Sequence, residues 1–310
     1  MNPDRQTDQK LFSLLLWIFP VFFLLVLFIA SYGNVTEENA KAPIAINPIR
    51  NTESRNDSRI VAQAYIVKDI NTGNVLFQKN ASLALPLASI TKIVTALVAK
   101  NTATPLTRIP VTASAHDPRE KADLYAGESF SFSKMLDYTL VASSNDGAAA
   151  IAQAVQNISR ETSFVDKMNA FASDIGMTNS RFLNPTGLDE NPDQAGAFGS
   201  AEDVALLMEY TLKNFPETFE ATKEISFKTS SNIGLMHHAT NTNEIVSELP
   251  NVLASKTGFT DIAGGNLAVI IDPALNRPVV IVVLGSTQEG RFDDVKILAN
   301  SVSKYFSLVE

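Results

Sequence analysis

The chain has 310 residues and a mass of 33.6 kDa, and 45% of it is hydrophobic, which excludes a disordered polypeptide and allows one large core or two small ones. No Cys and only three His exclude disulfides, thiolate metal sites and a cysteine nucleophile, and no H-E-x-x-H zinc helix is present. A net charge of -8 lacks the basic balance of a nucleic-acid binder.

Residues 11–30 (LFSLLLWIFPVFFLLVLFIA) carry no charge. A helix of that length rises about 30 Å, the thickness of a bilayer's hydrocarbon core, and Pro20 is tolerated there as a kink. The run is longer than a signal-peptide core of about 7–15 residues, and its end at Phe28-Ile29-Ala30-Ser31 lacks an A-x-A site. The downstream Ala40-Lys41-Ala42 is followed by Pro43, which disfavours cleavage. The segment is therefore expected to stay on as a single-pass anchor. Arg5 and Lys10 precede it and no Lys or Arg follows until Lys41, which puts residues 1–10 in the cytoplasm as a tail and the rest outside. Residues 31–59 are polar and aperiodic, a flexible linker with a reach of about 30 Å. Residues 60–310 then form one extracytoplasmic domain.

Within it, residues 60–67 and 74–79 are β-rich runs around Asn71-Thr72-Gly73, which predicts a hairpin. From Ser89 the period changes, and Ile90, Ile93, Val94 and Leu97 mark a buried helix face. Residues 130–214 read as mostly helical, with helices over 135–142, 147–157, 164–175 and 201–212. Strand character returns at 252–257, 266–271 and 278–284. A closing helix over 292–306 carries Val295, Leu298, Val302 and Tyr305 on one side. Strands at both ends with helices between them cannot make a parallel βαβ array. The expected class is α+β: an antiparallel sheet of the terminal strands, covered by the first and last helices, beside a separate helical lobe, with the chemistry in the groove between them.

Three short motifs fall where that groove should be. Ser89-Ile90-Thr91-Lys92 opens the first helix, where positions i and i+3 share a face and bring hydroxyl and amine together. Serine is a weak nucleophile that needs a base, and a lysine amine whose pKa is lowered by burial or nearby positive charge can serve. S-x-x-K recurs at 131–134 and 301–304, where caps or surface residues account for it; Ser89 differs in following a hairpin and Pro86. Ser143-Ser144-Asn145 sits at a break between two apolar helices, where Asn145 or Asp146 is a natural N-cap. Its chemical reading makes Ser143 a proton relay and Asn145 a substrate amide partner. Lys256-Thr257-Gly258 occurs once, at the end of a strand. Glycine there lets another backbone approach closely, and lysine and threonine suit a carboxylate. An edge strand with an exposed lysine is the ordinary alternative.

In that order the motifs are the signature set of penicillin-recognising serine enzymes. Leu85-Pro86-Leu87-Ala88-Ser89-Ile90-Thr91-Lys92, Val141-Ala142-Ser143-Ser144-Asn145-Asp146 and Asn184-Pro185-Thr186-Gly187-Leu188-Asp189 resemble the low-molecular-mass D-alanyl-D-alanine carboxypeptidases. So do Ser200-Ala201-Glu202-Asp203, Asn241-Thr242-Asn243 and Lys256-Thr257-Gly258, and together the runs cover residues 60–284. The resemblance implies a β-lactamase/transpeptidase-like fold and a serine-type D-Ala-D-Ala carboxypeptidase. Its substrate would be the peptidoglycan stem peptide and its inhibitors β-lactams, with no metal, other cofactor or nucleic acid and with the membrane met through the N-terminal helix. Carried over, Ser89 attacks the penultimate D-Ala carbonyl and Lys92 takes its proton. Ser143 relays a proton to the leaving D-alanine, and Asn145 orients the lysine and the substrate amide. Lys256 and Thr257, beside Gly258, hold the terminal carboxylate. The backbone N–H groups of Ser89 and Phe259 form an oxyanion hole, worth roughly 3–4 kcal/mol per donor.

Three departures qualify the resemblance. Many relatives add a β-rich C-terminal domain and an amphipathic helix, which this chain is expected to replace with its N-terminal anchor. Some place an arginine at the position of Thr242, so Lys256 and Thr257 would carry more of the carboxylate. Class A β-lactamases deacylate with a glutamate where this chain has Ser180, so a β-lactam adduct should be long-lived. The alternatives are a D,D-endopeptidase cutting crosslinks, a silent wall-binding protein and, last, a β-lactamase. An unrelated serine hydrolase lacks its G-x-S-x-G. His237 and His238 are read as strand or loop residues with no role.

Overall fold

The computed structural model describes residues 58–119, 121–159 and 162–309, within the compact unit Asn51–Glu310. The expected tail (1–10), the anchor (11–30) and all of the linker (31–59) but its last two residues lie outside the described residues. Among the described residues no helix is long and apolar enough to cross a membrane.

The N-terminal hairpin forms as its sequence predicts. Strands β1 (Ala64–Asp69) and β2 (Val75–Lys79) pair antiparallel, and the Asp69 carboxylate closes the turn by accepting from the N–H groups of Asn71 and Thr72. The short β3 (Leu85–Pro86) runs through a 3-10 turn at Ala88–Ile90 into α1 (Thr91–Lys100). Strands β4 (Arg108–Pro110) and β5 (Ser129–Ser131) pair, then α2 (Phe132–Ala142), α3 (Asn145–Ile158) and α4 (Phe164–Asp174) build the lobe. Strands β6 (Arg181–Phe182) and β7 (Ala197–Gly199) precede α5 (Ala201–Asn214) and a hairpin of β8 (Ser226–Ser230) and β9 (Met236–Thr240). The chain closes with β10 (Val252–Thr260), β11 (Gly264–Ile271), β12 (Val279–Ser286) and α6 (Gly290–Val309).

The main sheet has the order β10-β11-β12-β1-β2, antiparallel throughout. Strand β1 lies against β12 from Ala64 opposite Leu284 to Asp69 opposite Val279, so the two ends of the domain are zipped together. Strands β11 and β12 read as continuous apolar runs because both faces of the sheet are covered. On one face Phe292, Val295, Leu298 and Val302 of α6 pack against Tyr65, Val67, Val269 and Ile281. On the other, Ala64, Ile66, Ile270, Val280 and Val282 join a core that runs on into the lobe helices.

One expectation needs correcting. The helix packed along that second face is α5, not the first helix. Nine of the ten residues of α1 are buried, Thr91 to Ala99, and a helix buried on all sides belongs at the centre of the lobe rather than over a sheet. The helical lobe and the sheet meet through one apolar cluster, shared by α1, α2, α3 and the inner sheet face. The β8–β9 hairpin and the β4–β5 pair lie in stretches to which no strand was assigned. The hairpin leaves His237 buried in the lobe, with Nε2 2.8 Å from Glu128 Oε1.

Candidate active site

Ser89 stands half-buried on the 3-10 turn between β3 and α1, held there by its neighbours on both sides. Ala88, just before it, has φ +48°, the left-handed region that an alanine enters only under constraint. The constraint is packing. A Cβ on Gly187 would overlap the Ala88 carbonyl oxygen, and one on Gly258 would come within 2.8 Å of Leu87 O and 3.1 Å of Ser89 N. Fully buried Asn266 ties the turn to the sheet: its Nδ2 donates to Pro86 O at 2.9 Å while its Oδ1 accepts from Gly285 N at 2.8 Å.

One turn further on, Lys92 is buried, and its Nζ meets Ser89 Oγ, Asn145 Oδ1 and the Thr186 carbonyl, each at 2.7 Å. The Thr186 contact comes from the loop opened by Asn184. The Asn184 Oδ1 accepts from Thr186 N and Oγ1 and from Gly187 N, folding the loop onto the nucleophile turn.

Asn145 arrives from a tight corner between two helices. Ser143 ends α2 in the left-handed region, φ +58°. Ser144 is the N-cap of α3, its Oγ accepting from Gly147 N at 2.8 Å. That corrects the expected cap at Asn145 or Asp146. The shorter serine side chain folds back onto its own helix, which frees Asn145 to reach across to Lys92.

Strand β10 forms the opposite wall. Lys256 is buried rather than exposed, and its Nζ donates to Ser143 Oγ at 2.7 Å and to Thr257 O at 2.8 Å. Burial, then the charge of Lys92, then that of Arg291 hold its amine well below the ordinary lysine range. Thr257 Oγ1 lies 2.6 Å from Thr242 Oγ1, so the threonine at the arginine position orients the strand's hydroxyl. Phe259 is 40% exposed at the groove mouth. Ser89, Ser143, Asn145, Thr257, Gly258 and Phe259 all line one cleft of about 430 Å³. All eight residues singled out in the sequence thus meet at this cleft, the two lysines from beneath it.

The motifs missed two cations that line the cleft, Arg119, whose Nη1 donates to the carbonyls of Asp189 and Glu190, and Arg291. Arg291, at the start of α6, is 7% exposed and lines the same cleft. Its Nη1 donates to Gly258 O at 3.0 Å, and its Nε has no hydrogen-bond partner. No local spacing could have pointed to it, because only the β12–α6 connection returns it to β10. Asp189 was legible within the Asn184 run: its carboxylate accepts from Thr260 Oγ1 at 3.0 Å and steadies the end of β10.

A family model described as D-alanyl-D-alanine carboxypeptidase matches residues 50–288. The chain belongs to that family. It is one of cell-wall serine peptidases acting outside the cytoplasm. This carboxypeptidase-family chain is 31% identical over 253 residues to D-alanyl-D-alanine carboxypeptidase DacF of Bacillus subtilis. The match covers 79% of this chain and 63% of DacF, less than two thirds of that relative. It is 33% identical over 231 residues to the D-alanyl-D-alanine endopeptidase of Pseudomonas aeruginosa, covering 71% of this chain and 69% of the relative. Among solved structures, penicillin binding protein 5 from Haemophilus influenzae superposes with a TM-score of 0.67 at 28% identity, over 77% of this chain and 70% of that one. Penicillin-Binding Protein D2 from Listeria monocytogenes, in its cefotaxime-bound form, shares the fold with a TM-score of 0.67 at 24% identity, over 77% of this chain and 96% of that one. The expected fold class is therefore the observed one.

Proposed function

We propose that the protein is a serine-type D-Ala-D-Ala carboxypeptidase that trims peptidoglycan stem peptides through an acyl-enzyme on Ser89. The observation that carries this reading is Lys92 Nζ at 2.7 Å from Ser89 Oγ, with Lys256 across the cleft on Ser143. Ser89 Oγ attacks the penultimate D-Ala carbonyl and its proton passes to Lys92. The backbone N–H groups of Ser89 and Phe259 receive the oxyanion. As the C–N bond breaks, Ser143, in contact with Lys256, delivers a proton to the departing D-alanine nitrogen. Asn145 keeps Lys92 aligned, and water then hydrolyses the ester. Lys256, Thr257 and Arg291 make the carboxylate end. A carboxylate arriving there offsets the repulsion between the cations and favours the protonated lysine.

The test is acylation by penicillin. Intact mass of the full-length chain should show a stable one-to-one adduct that the Ser89→Ala variant lacks. An adduct that decays in seconds while penicillin is consumed would instead indicate a β-lactamase. Ser180 argues against that outcome, because its hydroxyl donates to Asp203 at 2.7 Å as a structural contact. No adduct on folded protein would favour a silent wall-binding role.

A D,D-endopeptidase is the second reading. It is favoured by the endopeptidase relatives of Pseudomonas aeruginosa and Escherichia coli, whose lengths are matched over 69% and 77%. Release of D-alanine from a monomeric stem peptide, against cleavage of a crosslinked dimer, separates the two. We also propose that residues 11–30 anchor the domain on the outer face of the cytoplasmic membrane. The uncharged run and the preceding Arg5 and Lys10 support this. Retention in the membrane pellet after alkaline carbonate washing is expected, and release into the wash would refute it.

A further inference from the structure

The cleft carries opposite charge at its two ends. Lys256, Thr257 and Arg291 make the end that takes the terminal carboxylate. Further along β10, past Phe259, the cleft is lined by Asp261. Asp261 opens the turn to β11 and is exposed, and its carboxylate makes no hydrogen bond or ion pair among the described residues. Its charged neighbours in the cleft are already engaged. The Asp189 carboxylate accepts from Thr260 Oγ1 at 3.0 Å and from Ile262 N at 3.4 Å. The Arg119 guanidinium lies on the Asp117 carboxylate and on the carbonyls of Asp189 and Glu190. What this end offers a ligand is therefore the carboxylate of Asp261.

The strand register says which part of a substrate meets it. Strand β10 is the outermost of the main sheet, so one of its backbone edges is open. A peptide with its terminal carboxylate at Thr257 and its reacting carbonyl at Phe259 N–H runs antiparallel to β10, and its acyl side heads toward Asp261. Asp261 lies two residues beyond Phe259, about 7 Å along the strand. The substrate residue before the reacting D-Ala begins about 3.4 Å along that path, and a four-carbon amino side chain reaches about 6 Å further.

We propose that Asp261 is a specificity-determining residue that binds the free side-chain ammonium of the diamino acid preceding D-Ala-D-Ala. The inference rests on the carboxypeptidase reading of the cleft. Crosslinking of a stem peptide through that amine converts it to an amide, which carries no charge and leaves Asp261 unpaired. The enzyme therefore favours stems not yet joined through their own amine. Because the pair forms at a solvent-exposed carboxylate, its effect is a few-fold in rate and is screened by salt.

The test is D-alanine release by the full-length chain from two tripeptides, Nα-acetyl-L-Lys-D-Ala-D-Ala and its Nα,Nε-diacetyl form. The ratio of their kcat/KM values within one preparation does not depend on how much of the protein is folded. At low salt the parent should prefer the free amine about three- to fivefold. The preference should fall toward one at about 1 M salt, where the Debye length is about 3 Å. Asp261→Asn should bring the low-salt ratio to about one, and Asp261→Glu should keep a preference of about twofold or more. A parent that releases D-alanine from both tripeptides at equal rates would overturn the inference alone. So would an Asp261→Asn variant that keeps the parent's ratio, because the preference would then come from the bulk of the acetyl group. A folded parent that releases D-alanine from neither tripeptide would overturn the carboxypeptidase reading, and this inference with it.

Discussion

Gly258 illustrates how little room the nucleophile has. It lies on β10 directly against the turn that carries Ser89, and its carbonyl is held by buried Arg291. Adding one methyl group places a carbon 2.8 Å from Leu87 O, so strand or turn must give way. Catalytic geometry is lost to shifts of this size, and a misplacement of about 1 Å can cost on the order of 10²-fold. Gly258→Ala should therefore slow penicillin acylation by about that factor while the chain still folds. Acylation at the parent rate would mean that the close approach is not required. The glycine was legible in the K-T-G triplet. The left-handed Ala88 was not, because its conformation comes from Gly187 and Gly258 pressing on it from two other segments.

Helix α2 shows the same limit one level up. Its apolar spacing predicted a helix, yet its polar Asp137 is drawn partly into the fold beside α1. Burial pushes the Asp137 carboxyl up to about 6, against the opposing charge of Lys100. Because the folded value lies above the ordinary one, the stability held at low pH is lost as pH rises through about 6. Asp137→Asn should thus raise the melting temperature at pH 8, by about 2–4 °C for each kcal/mol recovered, and leave it unchanged at pH 4. Equal melting temperatures of parent and variant at pH 8 would show that the carboxylate is relieved by solvent or by Lys100. The corner between α2 and α3 was also only half legible. A break was evident from the Ser-Ser-Asn-Asp run, but which of these residues caps α3 depended on Asn145 being engaged by Lys92.

At the scale of the whole domain, the single apolar cluster joining the lobe to the inner sheet face has a thermodynamic consequence. A lobe and a sheet face that share one apolar cluster lose that packing together, which couples their unfolding. Calorimetry should show one transition for residues of both lobe and sheet. Leu97→Ala, at a fully buried position of α1, should lower its stability by about 2–5 kcal/mol without splitting it. Two resolved transitions in the parent's folded domain would mean that the lobe is an independent unit. The zipped pairing of β1 with β12 points the same way, since the sheet cannot form until both ends of the domain are present.

The sequence alone determined what is local or compositional: the helix and strand periods, the absence of cysteine chemistry, the three motifs and the order in which they occur. Hydroxyl and amine at i and i+3 meet because helix geometry brings them together, whatever the rest of the chain does. Contacts between distant segments were decided only by tertiary structure. These include Lys92 reaching Asn145 and Thr186, Lys256 buried against Ser143, Arg291 returned to β10, and α5 rather than α1 laid along the sheet. They depend on which faces are left to bury once every apolar stripe has found a partner, and that is a property of the packed whole.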